Sequence, residues 1–457
     1  MSAPFLVMFG TAIGSIYVSL RFLSWSGMSL ARSKESAPIG VSSPQVDGDS
    51  HPRPDRSTRW VTAIFVAVAI ICSVAVTSIE RWRASVIDER ERLVALAESL
   101  DGEIETPHEE NHVISIELGA PATDKDLDQF RKCRHVESID LSDSQVTDLG
   151  LKNLSRYFPK TEKLRLNNTD ITDNGLVALN ELPFLWGLDL DDTDIDGAGF
   201  AQVQMKAALH WLSLNNTPFN DSGCQQLARF PNLKILSLVG TRVTDQGLSH
   251  LTTVTQLSLG HTAVKGHGLS DLTQLKYLKL NGTKVDDSTF SVIAKLEHID
   301  YLDLSDTVIT DVALAQLQTM PEGSTLTLDR TFVTGRGFQD WSPESSFMIL
   351  SLIQTPFNDA GVKHLRKLSK FQYLDLSGTQ ISDACLKDLA QMTIKFLTLH
   401  DTKITPEGLL AESSGWLSIE HLRFAPGQFN ESEVEQLMAQ FPGKFQFIDL
   451  LAGDDDE

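Results

Sequence analysis

The sequence predicts an α/β solenoid shaped as a horseshoe, with parallel strands on its concave face and a transmembrane helix ahead of it. Two observations predict this fold class. One leucine frame recurs at a nearly constant spacing over most of the chain, and a fixed period of about 20–50 residues is typical of a stacked array. An uncharged apolar run, 60–79, precedes the array and is long enough to cross a bilayer.

The composition limits the classes of protein to which the chain can belong. Its 457 residues carry 39 Lys and Arg against 61 Asp and Glu, a formal net charge of −22. This balance argues against a nucleic-acid partner, because phosphate backbones attract basic surfaces. The four cysteines, Cys72, Cys133, Cys224 and Cys385, form no CxxC pair and no close cluster with histidine. The sequence therefore predicts no zinc site, no disulfide framework and no cofactor.

The predicted transmembrane helix occupies residues 60–79, WVTAIFVAVAIICSVAVTSI. It lies between Arg56 and Arg59 on one side and Arg81 and Arg83 on the other. A bilayer core about 30 Å thick needs about 20 apolar residues at the rise of an α-helix. The alternative is a helix buried in a protein core, which the length and the basic flanks disfavour.

Residues 1–59 are predicted to form a disordered segment in the cytoplasm. Residues 26–59 carry five basic residues against four in residues 80–100, and an excess of basic residues favours the cytoplasmic side. The repeat domain is then expected outside the cytoplasm. The apolar stretch 4–20 has two interpretations, a further span or part of an over-extended gene start, because Met28 offers a second start.

Residues 80–111 are predicted to hold a juxtamembrane helix and a linker. Apolar residues recur at helical spacing there, at Ile79, Trp82, Val86, Leu93, Leu96 and Leu100. A short parallel coiled coil over 79–100 would weakly pair two chains. An amphipathic helix packed on the first repeat is the favoured alternative, because three heptads interrupted by Glu89 are marginal as a coiled coil.

The repeat domain is predicted at residues 112–450, followed by an acidic tail at 451–457. Its frame, LxLxxTx(I/V/F)xDxGLxxL, is clear in the segments that begin at Leu212, Leu236 and Leu374. The step between copies is nearly constant, and the two shortest steps lie on either side of Thr262. The threonine of the frame is found at Thr169, Thr193, Thr217, Thr241, Thr262, Thr283, Thr307, Thr331, Thr355, Thr379 and Thr402.

Each position of the frame has a physical role. The two leucines of LxL point to one side of a short strand, and the residues beside them point to the other side. The threonine ends the strand, where its hydroxyl is expected to bond the turn backbone as part of a ladder along the array. Frame aspartates such as Asp173, Asp221 and Asp245 are expected to cap the helix that follows. Cys224 and Cys385 fall on core positions of the frame.

This frame resembles the leucine-rich repeats of bacterial membrane-anchored proteins and of the arrays that follow F-box domains. In the F-box class, cysteine usually stands where this chain has threonine. The resemblance covers about residues 112–450 and implies protein–protein recognition through the concave face. No F-box-like segment precedes the array, and the predicted transmembrane helix takes its place, which argues against a ubiquitin-ligase role.

The concave face is the candidate binding surface. The residue before each LxL pair is aromatic or aliphatic on most strands, and Gln256 and Thr325 interrupt the row. The predicted ligand contacts are Trp211, Ile235, Tyr277, Tyr301, Ile349, Tyr373, Phe396 and His421. Aromatic side chains are favoured as interface anchors, but they also suit strands, where they stack on their neighbours. A polar rim of mixed charge comes from the residues between the leucines: Asp189, Lys279, Asp303, Asp375 and Arg423.

Two groups of residues resemble metal sites but are predicted not to bind a metal. The acidic run at 192–196 opens like a calcium loop, but Val203 stands where that loop needs a bidentate glutamate. The histidines near the short steps, His250, His261 and His267, fall on different parts of the repeat. The sequence also lacks phosphate-loop, HExxH and GxSxG motifs, so the chain is predicted not to be an enzyme.

Three functional hypotheses follow from the sequence. The first is a single-pass membrane protein whose repeats lie outside the cytoplasm and bind a protein or cell-envelope ligand without catalysis. The second is a structural envelope protein without a discrete ligand. The third is a substrate adaptor of the F-box type with its repeats in the cytoplasm. Membrane topology separates the first from the third, and substitution of the aromatic row separates the first from the second.

Overall fold

The computed structural model describes residues 56–105, 115–133, 136–204, 208–317, 320–368, 370–412 and 419–447, without the side chains of 56–63, 65 and 82–90. The apolar stretch 4–20, the alternative start Met28 and the acidic tail 451–457 lie outside the described residues. The chain divides into two compact units, Met1–Ile79 and Glu80–Glu457.

A helix of 44 residues, α1 (Arg56–Ser99), begins the described chain. It covers the segment 60–79 that the sequence predicts to span a membrane. Several apolar side chains of that segment, among them Ile64, Ile71 and Val74, are more than half exposed. By length and hydropathy, no helix in the described part of the chain qualifies as a membrane span.

Within the described residues, one sheet of 16 strands follows in chain order. Its first pair is antiparallel, and every later pair is parallel. Parallel order arises because each repeat returns the chain to the same edge before the next strand begins. The strands are β1 (Glu103–Glu105), β2 (Ser115–Glu117), β3 (Ser138–Asp140), β4 (Lys163–Arg165), β5 (Gly187–Asp189), β6 (Trp211–Ser213), β7 (Ile235–Ser237), β8 (Gln256–Ser258), β9 (Tyr277–Lys279), β10 (Tyr301–Asp303), β11 (Ser324–Thr327), β12 (Phe347–Ser351), β13 (Lys370–Asp375), β14 (Thr393–Thr398), β15 (Ile419–Phe424) and β16 (Phe445–Phe447).

Short helical segments connect the strands. The α-helices are α2 (Asp124–Phe130), α3 (Asp148–Tyr157), α4 (Asp221–Leu227), α5 (Asp245–Leu248), α6 (Phe290–Ile293), α7 (Asp311–Leu317), α8 (Asp359–Leu365), α9 (Leu386–Leu389), α10 (Pro406–Ala411) and α11 (Glu431–Gln440). The 3₁₀ helices are η1 (Gly175–Glu181), η2 (Ala198–Gln202), η3 (His267–Leu269), η4 (Arg336–Phe338) and η5 (Asp383–Cys385). The two shortest steps use the short α5 and η3, and strand register continues across them, since Gln256 pairs with both Ile235 and Tyr277.

Stacked leucines form the core. Both leucines of the LxL pair that begins at Leu212 are completely buried, and so is the apolar residue that follows the threonine turn, such as Val243 or Ile381. Full burial of such a side chain stabilises by about 1.5–3 kcal/mol, and this surface is covered by the adjacent repeats. The predicted leucine-rich-repeat solenoid is confirmed at this level.

The face opposite the leucines, which we call the strand face, is expected to lie on the inside of the curve. Strands stack about 4.8 Å apart, whereas helices pack about 8–10 Å apart. A sheet backed by helical segments therefore bends towards its strands. This is the surface that the sequence predicted to be concave.

The N-terminal end of the array is closed by the last turns of α1 and by β1. Leu93, Ala97 and Leu100 are buried in the core of the array, and Gly119 N donates to Leu100 O at 2.9 Å. This part of α1 therefore packs on the first repeat, as the favoured alternative expects. The other positions of the apolar pattern, Trp82 and Val86, have side chains outside the described set.

Candidate functional site

The predicted contact residues lie in one row across the strand face. Strand pairing places Tyr277 opposite Tyr301, and Tyr373 opposite Phe396. All eight members are partly exposed, whereas the flanking leucines are buried. The row is interrupted where the sequence places Thr325, whose side chain is 3% exposed.

Aromatic members of the row form two stacks. In the first stack, the ring centroids of Tyr277 and Tyr301 lie 4.1 Å apart at an interplanar angle of 17°. In the second stack, Tyr373 and Phe396 lie 4.5 Å apart at 8°, and Phe396 and His421 lie 4.8 Å apart at 16°. These distances match the spacing of the strands that carry the rings. Inner ring faces cover one another, so the stacks present mainly their edges, which carry the positive part of the ring quadrupole.

Each stack is accompanied by a cation from the polar rim. Lys279 Nζ lies 5.7 and 5.8 Å from the two ring centroids of the first stack. The guanidinium carbon of Arg423 lies 4.5 Å from the ring centroid of Phe396 in the second stack. Such cation–π contacts stabilise by about 0.5–1 kcal/mol at exposed sites. The two predicted rim cations therefore lie beside the rings.

A gap separates the two stacks. It extends from Tyr301 on β10 to Tyr373 on β13, and its floor is formed by Thr325 and Ile349 at the same register. Three strand intervals make the gap about 14 Å wide. We call it the notch. Within it, Ile349 is partly exposed, whereas Thr325 is buried by its neighbours.

Three aspartates, Asp303, Asp329 and Asp375, accompany the strands of the notch. In each carboxylate, Oδ1 accepts one backbone N–H and one serine hydroxyl at 2.5–2.9 Å. Among the described residues, no donor bonds the Oδ2 atom of any of the three, and none of the three forms an ion pair. The charge of Arg330 acts to lower the pKa of Asp329, and the charge of Arg423 acts to lower the pKa of Asp375.

Burial raises the pKa of two of these carboxyls. The pKa of Asp375 rises from 3.8 to about 6, mainly because the group is buried and, to a smaller extent, because Asp329 lies nearby. Burial and the charge of Asp303 raise the pKa of Asp329. Burial also raises the pKa of the predicted rim residue Asp189 to about 6, with Asp191 adding to the shift.

Asp140, on β3 of the same face, provides a contrast. Burial acts to raise its pKa, but hydrogen bonds from Ser142 and Arg165 hold the pKa below 3.8. Arg165 Nη1 donates to Asp140 Oδ2 at 2.9 Å from the next strand. An arginine can therefore bond a carboxylate on this face without disturbing the sheet.

The predicted threonines hydrogen-bond the backbone of their own turns. Each of the eleven hydroxyls donates to the carbonyl oxygen three residues earlier, at 2.6–3.0 Å. All are buried except Thr402, which is partly exposed. These bonds stay within one repeat, so the threonines form a row of similar turns and not a hydrogen-bonded ladder between repeats.

The prediction that frame aspartates cap their own helices is wrong. Asn220 is the N-cap of α4, and its side chain accepts from Ser222 N. Asp221 follows it and bonds the next repeat, where its carboxylate accepts Thr244 N at 2.8 Å and Thr244 Oγ1 at 2.6 Å. An N-cap needs extended backbone, which the residue before the aspartate supplies.

This bond between repeats, which we call the aspartate joint, recurs along the array. The aspartate at the start of one helical segment accepts both the N–H and the hydroxyl of a Thr or Ser one repeat later. The pairs are Asp124–Thr147, Asp148–Thr172, Asp221–Thr244, Asp287–Thr310, Asp311–Thr334, Asp359–Ser382 and Asp383–Thr405.

Sequence reasoning also missed a row of left-handed residues directly before the threonines. Asn168, Asp192 and Asn216 have φ of 53–56°, and Gly240 has φ of 71°. Asn, Asp and Gly adopt this conformation most readily, so their recurrence before threonine was the signal. The turn that these left-handed residues produce directs the threonine hydroxyl towards the preceding strand.

The groups that were predicted not to bind a metal remain separate. Within the described ranges, no three Cys, His, Asp or Glu side chains meet in a way that could hold a metal ion. Asp196 takes part in a loop, where its backbone N–H donates to Asp173. His261 contacts Asn281 at 3.4 Å.

The comparisons with known proteins agree with the fold. A family model of the leucine-rich repeat matches residues 132–155 and 162–179. An internalin (inlF) from Listeria monocytogenes superimposes with a TM-score of 0.50 at 20% identity, covering 70% of this chain and 87% of the internalin. The mouse RP105/MD-1 complex gives a TM-score of 0.50 at 15% identity, covering 75% of this chain and 73% of that chain. A search of curated protein sequences found no match. At these identities the likeness shows the fold alone, so residues Glu80–Glu457 contain a solenoid of leucine-rich repeats.

Proposed function

We propose that this chain is a membrane-anchored protein that binds a protein or cell-envelope ligand through its strand face, without catalysis. The observation that carries the proposal is the row of partly exposed aromatic side chains across that face. Aromatic side chains with limited freedom are the usual anchors of interfaces. Stacking on paired strands already orders these rings, which lowers the entropy lost on binding.

The fold offers independent support for a protein ligand. Fifteen intervals between 16 strands at about 4.8 Å give a sheet about 70 Å long, which is large enough to hold a folded protein. One solved structure of similar fold is a complex, that of mouse RP105 with MD-1.

Anchoring is proposed at residues 60–79. The support is the uncharged run with arginines on both sides, together with the exposed apolar side chains of α1 in that segment. Contiguous exposed apolar surface is unfavourable in water and favourable in lipid. The excess of basic residues in 26–59 supports a cytoplasmic N-terminal side and repeats outside the cytoplasm.

A photo-crosslinking experiment tests binding through the strand face. We expect p-benzoylphenylalanine at Tyr373 to form one defined adduct in cells that produce the full chain. The matched position is Val177 on η1, which is 47% exposed on the helical side and should not give that adduct. Tyr277→Ala, Tyr301→Ala and His421→Ala together should lower the yield from Tyr373 at least tenfold.

Two results would contradict the proposal. An identical adduct from Tyr373 and Val177 would show that the label does not report the strand face. A yield unchanged by the three alanine substitutions would favour the alternative of a structural envelope protein without a discrete ligand.

A further inference from the structure

The segments around the threonine turns form a continuous edge of the sheet, which we call the turn edge. It comprises, in each repeat, the residue before the threonine position and the three residues after it. Neighbouring segments contact one another directly, because Thr172 forms a parallel bridge with Asp194 and Phe332 N donates to Ile309 O at 3.1 Å. The exposed side chains of these segments therefore share one surface, beside the strand face.

Charge is divided unevenly along the turn edge. The exposed carboxylates Asp170, Asp192 and Asp194 lie in the turns after β4 and β5. The exposed cations Lys265 and Lys284 lie in the turns after β8 and β9. Among the described residues, none of these five forms an ion pair. At least three strand intervals, about 14 Å, separate the two groups, so neither group neutralises the other within one chain.

An exposed apolar group follows the cations along the same edge. Val308, Val312 and Phe332 are 57–59% exposed. They are neighbours, because the backbone of Phe332 bonds Ile309 and Val312 begins the helix that follows this turn. Contiguous exposed apolar surface on a folded domain often marks an interaction site.

We propose that the turn edge is the contact between two copies of this chain, which pack antiparallel about a two-fold axis between the turns after β6 and β7. In such a contact each pair of residues occurs twice, because the same surface serves both copies. The axis places Asp170 opposite Lys284 of the second copy, and Asp194 beside Lys265 of the second copy. Both pairs form together, because the two carboxylates are one strand interval apart and so are the two lysines.

The same axis matches the turns at both ends of the edge. Phe332 comes opposite Pro121 of the second copy, which is exposed at the equivalent position after β2. Asp143 comes opposite Asp306 of the second copy, but Arg330 already neutralises Asp306 through two bonds of 2.6 Å. Apolar residues therefore meet apolar residues, and no unpaired like charges are brought together at these turns.

The size of the turn edge suits a dimer. Nine strand intervals from β2 to β11 give a length of about 43 Å, and five extended residues in each segment give a width of about 16 Å. The resulting area of about 700 Å² per copy is close to the 800 Å² or so that each partner contributes to a stable interface. The strand face is not part of this contact, so the inference is independent of the proposed function.

Charge reversal tests the contact. The full chain in non-ionic micelles is measured by light scattering after size exclusion, and the detergent mass is subtracted. We expect the parent chain to have the mass of two copies. Asp170→Lys with Asp194→Lys should raise the dissociation constant at least tenfold, because like charges then face each other. Lys265→Glu with Lys284→Glu should have the same effect.

A variant with all four substitutions gives the decisive result. It restores opposite charges across the two-fold axis, so the mass of two copies should return. A folding defect in either double variant could not produce this recovery. Single chains in the fourfold variant would overturn the proposal, and so would a parent chain of single-copy mass at its highest soluble concentration.

A matched variant controls for net charge. Glu407→Lys with Glu435→Lys makes the same change of charge as the first double variant, at exposed positions on α10 and α11, and should keep the mass of two copies. A halved mass in this control would contradict a contact specific to the turn edge. Dimers that survive both charge reversals and are lost in Trp82→Lys with Val86→Lys would place the contact in the coiled coil instead.

Discussion

At the residue scale, single carboxylates join the repeats to one another. Asp221 accepts two bonds from Thr244, which lies in the following repeat. Thr244 is at the same time the N-cap of α5, where its Oγ1 accepts from Gln246 N. The aspartate joint therefore orients the cap of the next helix and couples the order of one repeat to that of its neighbour.

We predict that Asp221→Ala lowers the free energy of unfolding by about 2–3 kcal/mol. The substitution removes two hydrogen bonds to a carboxylate and leaves a partly buried N–H without its partner. Asn220→Ala removes only a helix cap and should cost about 1 kcal/mol. Urea unfolding of the full chain in micelles, followed by circular dichroism, measures both.

Asp271, an exposed aspartate outside the joints, supplies the control, and Asp271→Ala should leave stability within about 0.5 kcal/mol. If Asp221→Ala costs no more than Asn220→Ala, the joint contributes nothing beyond an ordinary cap.

The leucines and threonines were predictable because their roles depend on local geometry. The side chains of an LxL pair alternate in any strand, and Thr217 meets the carbonyl of Leu214 within its own turn. The hydrogen-bond partner of the Asp221 carboxylate was not predictable in this way, because it depends on the distance to the next repeat. The available signal was a serine or threonine that stands one repeat after each such aspartate, as Thr244 does after Asp221.

At the scale of elements, the frame predicts strand positions better than it predicts the helical side. The register of β6 to β15 follows the LxL pairs. The helical side contains both α-helices and 3₁₀ helices, as in α4 and η2, because small differences in packing decide between them. From the sequence, stacking of the aromatic side chains on their neighbours is an alternative to ligand binding. The exposure of ring edges could not be predicted, because it depends on the χ angles of these side chains.

The C-terminal end of α1 is predicted to act as a cap of the array and not as a dimer contact. Ala97 is completely buried, so Ala97→Asp should lower the free energy of unfolding by about 3–5 kcal/mol, since it buries a charge without a partner. Trp82→Lys with Val86→Lys should leave the mass of the particle unchanged in light scattering after size exclusion.

A halved mass in the double lysine variant would instead establish the coiled coil as the contact between two chains. Retained stability of Ala97→Asp would contradict the capping role.

At the scale of the whole molecule, membrane topology separates the functional hypotheses. Only one of the four cysteines, Cys72, is exposed, and Cys133, Cys224 and Cys385 are buried. Burial raises the pKa of the Cys224 thiol to about 12, which keeps it unreactive in the folded chain. A labelling experiment therefore needs to remove only Cys72 and can leave the core intact.

We predict that, in a Cys72→Ala chain, an impermeant maleimide labels Ser432→Cys in intact cells and does not label Ser42→Cys. Ser432 is exposed on α11, and the basic excess before residue 60 favours the cytoplasm for Ser42. Labelling of Ser42→Cys alone would reverse the orientation and favour the adaptor with cytoplasmic repeats. The parent chain, which should label only after denaturation in detergent, is the control for the buried thiols.

The recurrence of the aspartate joint has a consequence for how such a gene can change over time. The same pair of bonds joins several different neighbouring repeats, as Asp148 with Thr172 and Asp359 with Ser382 illustrate. Duplication or loss of one whole unit would therefore rejoin compatible ends and lengthen or shorten the row of aromatic residues by one strand, about 4.8 Å. A shift of a few nucleotides in the breakpoint, by contrast, would separate carboxylate from hydroxyl and leucine from leucine. We therefore expect related genes to differ by whole repeats in copy number. The notch would then be moved, widened or removed together with its strands.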